Sequence, residues 1–272
     1  MLRLLIYLII SALSLTTWAS DNDEYFNLMG KADTAIAEER WDDAENYLLT
    51  AMRSQPGNPS NVLLLSNLGI VQYNQGKTDA AIDTLTAAYD IAPTLIAVLN
   101  NRAKVFIAVG RDNDAYDDYG RILAIDSTLV EPLFVHGMMA LHQGKLDIAK
   151  RDFTRLEQVA PTDISTDIAM GSYYSATMQW EKALSHYGDL IENEPDTEYY
   201  IARAACYIQL QRYDEASSDI AEGLALSPDD PELYVYRACL NKLRFRPDDA
   251  KADAQRAIEL GADKTRVATL LK

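Results

Sequence analysis

A chain of 272 residues can make one large domain or two ordinary ones, and 48% hydrophobic residues are ample for a core. Glycine and proline are sparse, at 12 and 9, while alanine is abundant, which leans the chain towards helix. The formal charge of −16 argues against a nucleic-acid partner, because a polyanion is repelled and no Lys/Arg cluster gives it a landing place.

The first residues differ from all that follow. Arg3 and the amino terminus are positive, Leu4 to Leu15 is apolar but for Ser11 and Ser14, and Thr17-Trp18-Ala19 offers small residues where a signal peptidase reads. Residues 1–19 are therefore expected to be a signal peptide, cleaved after Ala19, with 20–24 a short segment before the first helix. That predicts an exported chain, periplasmic or secreted. A retained anchor is the alternative and would be the sole membrane contact, although a span of hydrocarbon takes ~20 residues. No cysteine lies near the cleavage point to carry a lipid.

Beyond residue 24 the chain repeats. Ala44, Ala81, Ala115, Ala149, Ala183, Ala216 and Ala250 follow at intervals of 37, 34, 34, 34, 33 and 34. Twelve residues before each stands another small residue: Ala32, Gly69, Ala103, Gly137, Gly171, Ala204 and Ala238. Twelve after most of them comes a proline: Pro56, Pro93, Pro161, Pro195 and Pro228, with Ser127 and Ala262 in the remaining places. Each unit reads as two helices. In the second, Leu65, Leu68, Gly69 and Gln72 keep helical spacing, Gln75-Gly76-Lys77 breaks it, and Ala81, Leu85, Ala88 and Tyr89 resume it. So short a turn makes the two helices antiparallel neighbours. The small residues mark where their backbones cross, and the prolines end the second helix.

This pattern resembles the tetratricopeptide repeat family, over nearly all of the chain after residue 24. The resemblance implies seven units at 25–58, 62–95, 96–129, 130–163, 164–196, 197–230 and 231–264, with 265–272 a short C-terminal cap. It implies an all-α fold, a right-handed α-solenoid of stacked antiparallel helix pairs, since one hairpin cannot bury its own apolar face. Two departures are local. Glu39, Met178, Gln211 and Phe245 replace the usual turn glycine, and Asn241 and Ala254 make the seventh unit the loosest. The cap carries only Val267, Leu270 and Leu271 at helical spacing, which leaves room for self-association through that end.

The resemblance also places a concave wall on the first helix of each unit. Its residues here are Ser66, Ile70 and Tyr73; Asn100, Lys104 and Ile107; Phe134, Met138 and Leu141; Ile168, Ser172 and Ser175; and Ile201, Ala205 and Ile208. Some members clamp a partner's C-terminal carboxylate with Lys and Asn on this wall, but Met29 and Asp33 stand there in the first unit. Asn100 and Lys104 are the nearest echo. Phe134, Met138 and Leu141 share one helix face and either pack on neighbouring helices or form an apolar patch for an extended peptide or amphipathic helix.

Chemistry is sparse. His136, His142 and His186 form no H-E-x-x-H pair and no His/Cys cluster with metal spacing. His136 falls on a packing face, and Asp112-Asn113-Asp114 lacks the glycine and distal glutamate of an EF-hand. No phosphate-binding or nucleophile motif occurs, so neither cofactor, metal nor catalytic residue is expected. Acids at the start of each second helix, among them Asp42, Asp43, Asp79, Asp112 and Asp114, are expected to cap free N–H groups and meet the helix dipole. Trp41 and Trp180 recur at one place in their units and read as packing residues. Cys206 and Cys239 lie on adjacent first helices, offset by one position, which favours two free thiols over a bridge.

These residues predict a non-catalytic protein-interaction scaffold of the cell envelope. A peptide- or glycan-presenting regulatory subunit of an envelope enzyme complex is the alternative.

Overall fold

The computed structural model describes residues 23–271, and the expected signal peptide lies outside them. Among these residues all regular structure is helical. Fourteen helices follow in consecutive pairs: α1 Asp23–Ala37 with α2 Trp41–Ser54, α3 Asn61–Asn74 with α4 Thr78–Ile91, α5 Ile96–Ala108 with α6 Asp112–Ile125, α7 Val130–His142 with α8 Leu146–Val159, α9 Ile164–Ala176 with α10 Trp180–Asn193, α11 Thr197–Gln209 with α12 Tyr213–Leu226, and α13 Pro231–Leu243 with α14 Pro247–Glu259. A short α15, Lys264–Val267, follows. The chain divides into two compact units, up to Met139 and from Ala140 onwards.

The repeating alanines explain the hairpins. Ala44, Ala81, Ala115, Ala149, Ala183 and Ala216 are fully buried, and Ala250 nearly so. Their small partners are equally enclosed. A Cβ on Gly69 would stand 2.5 Å from Leu85 Cγ and 3.2 Å from the Ala81 carbonyl, so α3 and α4 cross where there is no room for a methyl group. Pro56, Pro93, Pro161, Pro195 and Pro228 each fall two residues past the end of a second helix.

The turns share one geometry whatever their sequence. Gly76, Gly110 and Gly144 have φ of +79°, +75° and +72°, and Glu39, Met178, Gln211 and Phe245 take the same left-handed conformation at +55° to +59°. In each the next residue's N–H reaches a carbonyl five residues back, as from Lys77 to Gln72 at 2.9 Å and from Gln179 to Tyr174 at 2.8 Å. This bond closes the helix end and holds four side chains in a region that L-residues rarely adopt.

The acids at the second-helix starts do not cap. The N-cap residues there are Arg40, Lys77, Arg111, Lys145, Gln179, Arg212 and Arg246, none with a side-chain cap bond. Six of these side chains are basic and cannot accept from N–H, and the Gln179 amide oxygen is taken by Lys182, so the carboxylates of the first turn act through the helix dipole and through ion pairs, Arg40–Asp43, Arg111–Asp114 and Arg212–Glu215. Carboxylate capping occurs on first helices instead: Asp163 accepts from Ser165 N, Asp196 from Glu198 N, and Asp230 from Glu232 N and Leu233 N. The Ser165 hydroxyl and N–H together hold the Asp163 carboxyl below the usual carboxylate range.

At the far end Val267 and Leu270 are buried with Val235, Ala238, Ala254 and Ala257. The small Ala254 leaves the space that the cap fills. Asn241, the other weak position, donates to Asp253 at 2.9 Å.

Candidate functional site

In the unit up to Met139, α3 packs against α5, so two of the expected wall helices are neighbours. Ile70, expected on the wall, is instead 1% exposed, in one apolar cluster with Leu85 and Val105, so it belongs to the seam between helices and not to a binding surface. Ser66 is buried too and accepts from Asn101 Nδ2 at 3.1 Å. Tyr73, Asn100, Lys104, Ile107, Phe134 and Met138 are half-buried. Asn100, Lys104 and Ile107 follow one another at i, i+4 and i+7 along one face of α5.

Two details set the electrostatics of this face. Lys104 Nζ lies 2.9 Å from Glu131 Oε1, so the cation that a carboxylate clamp would use is already paired. Glu131 also adds to the burial that pushes the Tyr119 phenol far above its usual range. Asn100 Oδ1, by contrast, is buried and accepts no hydrogen bond among the described residues. Buried acceptors are rarely left so, because the lost bond to water costs about 1–3 kcal/mol.

In the unit from Ala140 onwards, Leu141, Ile168, Ser172 and Ile201 are half-buried. Ile168 packs on the cluster of Ala183, Tyr187 and Leu190. Ala205, Ile208 and Cys206 border a pocket of about 330 Å³ together with Trp180, Tyr236 and Cys239. Both thiols are free. Burial raises each thiol, against the pull of Ser175 on Cys206 and of Arg266 and Lys242 on Cys239, so neither is primed as a nucleophile.

The stripe Phe134, Met138 and Leu141 is thus partly covered, where the sequence left open an exposed patch. The most exposed large apolar side chains are elsewhere, Ile91 at a second-helix end and Met178 and Phe245 in turns, the last 93% exposed.

One feature not anticipated from the sequence joins residues sixteen apart. Arg102 forks onto Asp118 with two bonds of 2.7 Å, Arg203 onto Asp219 at 2.9 and 2.7 Å, and Arg237 onto Asp253. Asp118 is fully buried and Arg102 is 7% exposed, its guanidinium 3.7 Å from the Tyr89 ring centre. Aligning the units on their alanines puts Arg and Asp in fixed columns, a signal that could have revealed the pairs. His136, a packing residue as expected, stands in the arginine column, 4% exposed and stacked on Tyr116 at 4.2 Å.

Helix pairs that bury small residues along their length and close each turn alike define a helical-repeat protein of the α-solenoid class. The tetratricopeptide repeat family's model matches residues 29–96 and 168–231, one stretch in each unit, so the repeats of those stretches are tetratricopeptide repeats. A tetratricopeptide repeat protein from Parabacteroides merdae has the same fold, with a TM-score of 0.71 and 26% identity over 92% of this chain and 98% of that one. The Hsp70-Hsp90 organizing protein of Triticum aestivum is 25% identical over 218 residues, covering 73% of this chain and 35% of its own. A tetratricopeptide repeat and J domain-containing co-chaperone of Fusarium oxysporum is 24% identical over 227 residues, 78% of this chain and 41% of its own. The chain therefore spans about two fifths or less of the length of these curated relatives. Proteins built of such repeats act as protein-interaction scaffolds.

Proposed function

We propose that this chain is a non-catalytic scaffold of the cell envelope that holds an extended peptide or an amphipathic helix of another protein against its first helices. The observation that carries this reading is Asn100 Oδ1, a buried acceptor without a donor among the described residues, placed on the expected wall. A backbone N–H of a bound segment would satisfy it. Half-buried Tyr73, Ile107, Phe134 and Met138 of the same unit offer apolar area that a partner would finish burying. The pairing of Lys104 with Glu131 favours apolar over charge-led capture. Export rests on the apolar run of residues 4–15 and the small residues before Ser20.

Selection of a displayed peptide library on the purified chain tests the reading. The expected binders carry spaced apolar anchors, weaken only modestly as salt rises, and lose at least tenfold in affinity with Phe134→Ala and Met138→Ala together. Lys104→Ala should change little. Binders that are acidic, that fall away steeply with salt and that depend on Lys104 would reverse the assignment.

A further inference from the structure

Aligned on their alanines, the last five units carry Asp118, Asp152, His186, Asp219 and Asp253 in one column. Asp118, Asp219 and Asp253 are forked by the arginine of their own unit, and Asp152 pairs with Arg151. The fifth unit breaks the rule twice. Its column residue is an imidazole, and the arginine's place is taken by Met170. The carboxylate arrives from elsewhere: Asp167 on α9 brings Oδ1 to 2.8 Å from His186 Nδ1. Asp189, close to one helical turn beyond His186 on α10, completes a group whose three ligand atoms lie within 4.8 Å of one another.

We propose that Asp167, His186 and Asp189 bind a divalent transition-metal ion of the zinc class. No Lys or Arg pairs with either carboxylate among the described residues, so two negative charges and one imidazole face each other without the cation that every paired aspartate of the column has. Lys182, the nearest base along α10, is directed instead to the Gln179 side-chain amide oxygen at 2.9 Å and over the Tyr174 ring. The Asp189 carboxylate, exposed, has no partner of its own among the described residues. His186 is held in place, since the Tyr174 ring lies over it at 5.7 Å and 19°. Two ligands bound at ~2.0–2.2 Å to one tetrahedral ion stand roughly 3.3–3.6 Å apart, so a metal can replace the proton between His186 and Asp167 with less than about 1 Å of movement. One nitrogen and two carboxylates suit Zn²⁺ and its neighbours, whereas Ca²⁺ asks for six to eight oxygens and Mg²⁺ for an all-oxygen octahedron. The exposed side leaves a further coordination position for water. All three donors sit on one hairpin, so the ion ties α9 to α10.

The test is calorimetric titration of the full chain, stripped with chelator, with ZnCl2 at pH 7.5, alongside thermal melts. One saturable site is expected, with a rise in Tm on loading. Asp189→Asn should melt like the parent without metal, and should lose at least tenfold in Zn²⁺ affinity and most of the Tm rise; His186→Gln should do the same. In the Co²⁺-loaded chain both variants should lose the visible ligand-field bands. The proposal is overturned by absence of a saturable site in the parent, by Zn²⁺ binding that survives both substitutions, or by Ca²⁺ binding as tightly as Zn²⁺. Should His186→Gln fail to fold, Asp189→Asn decides alone.

Discussion

The third and fifth hairpins are built on the same frame and use it differently. In the third, Arg102 and Asp118 form a buried two-bond pair, with the Tyr89 ring against the guanidinium. In the fifth, the matching places hold Met170 and His186, and an aspartate from another position faces the imidazole. Where the repeat keeps its columns, charge serves the stack. In the fifth unit, which departs at both places, the imidazole and the carboxylate that meet are not a pair the other units use. The acidity of the chain follows the same division, since many of its carboxylates already answer an arginine or a lysine.

The largest effect should come from breaking the kept rule. Asp118→Ala strands Arg102 in the core and should destabilise the chain by about 3–5 kcal/mol in denaturant melts. Replacing both, as Arg102→Met with Asp118→Leu, should recover most of that loss, because the penalty lies in the unpaired charge. A double variant as unstable as the single one would mean that the pair itself holds the hairpin together.

Next comes the crossing that all hairpins share. Gly69→Ala drives a methyl into the Leu85 branch point and should cost about 1–3 kcal/mol, whereas alanine at exposed Gly30 within α1, where nothing lies within 4 Å, should stabilise by up to about 1 kcal/mol. Equal melts for the two would contradict a crossing at Gly69.

The turns give a smaller, opposite change. Met178 and Phe245 hold a left-handed conformation with exposed side chains, so glycine at either place should stabilise the fold by up to about 1 kcal/mol in the same melts.

Smallest is the pH effect of Glu45. The Lys77 ammonium lowers its carboxyl, against a burial that raises it, with Gln75 assisting Lys77. A depressed acid stabilises the fold above its unfolded titration range and loses that contribution as pH falls through the folded one. Lys77→Ala should therefore flatten the loss of stability between neutral pH and the acid range by about a few tenths of a kcal/mol, as expected for a half-exposed pair, and melts across that range would show it.

Much of this was legible in the sequence. The alanine and small-residue columns located the hairpin crossings, because a steric requirement at each crossing admits few residue types. The turn conformation at Met178 and Phe245 was hidden, since their side chains do not favour it and the closing hydrogen bonds impose it. The wall was legible only as a set of positions. Whether Ile70 lies on it or beneath it depends on how Leu85 and Val105 fill the seam, and no periodicity along one helix records that. Asp167 and His186 meet across two helices, nineteen residues apart, at a spacing no local motif contains. The capping acids misled for another reason: an acid beside a helix start fits both a cap and a first turn, and the basic residue before it takes the cap position.

If partners are held by the first helices, site-specific photocrosslinking in the native cell will show it directly, whatever the partner is. A benzophenone side chain would replace Phe134 or Met138 on α7 and, in parallel, Ala87 on α4 or Ala124 on α6, both exposed on second helices. A discrete adduct is expected from positions 134 and 138 and none from 87 and 124. Adducts from the second-helix positions alone would contradict binding by the first helices and move the binding surface to the second.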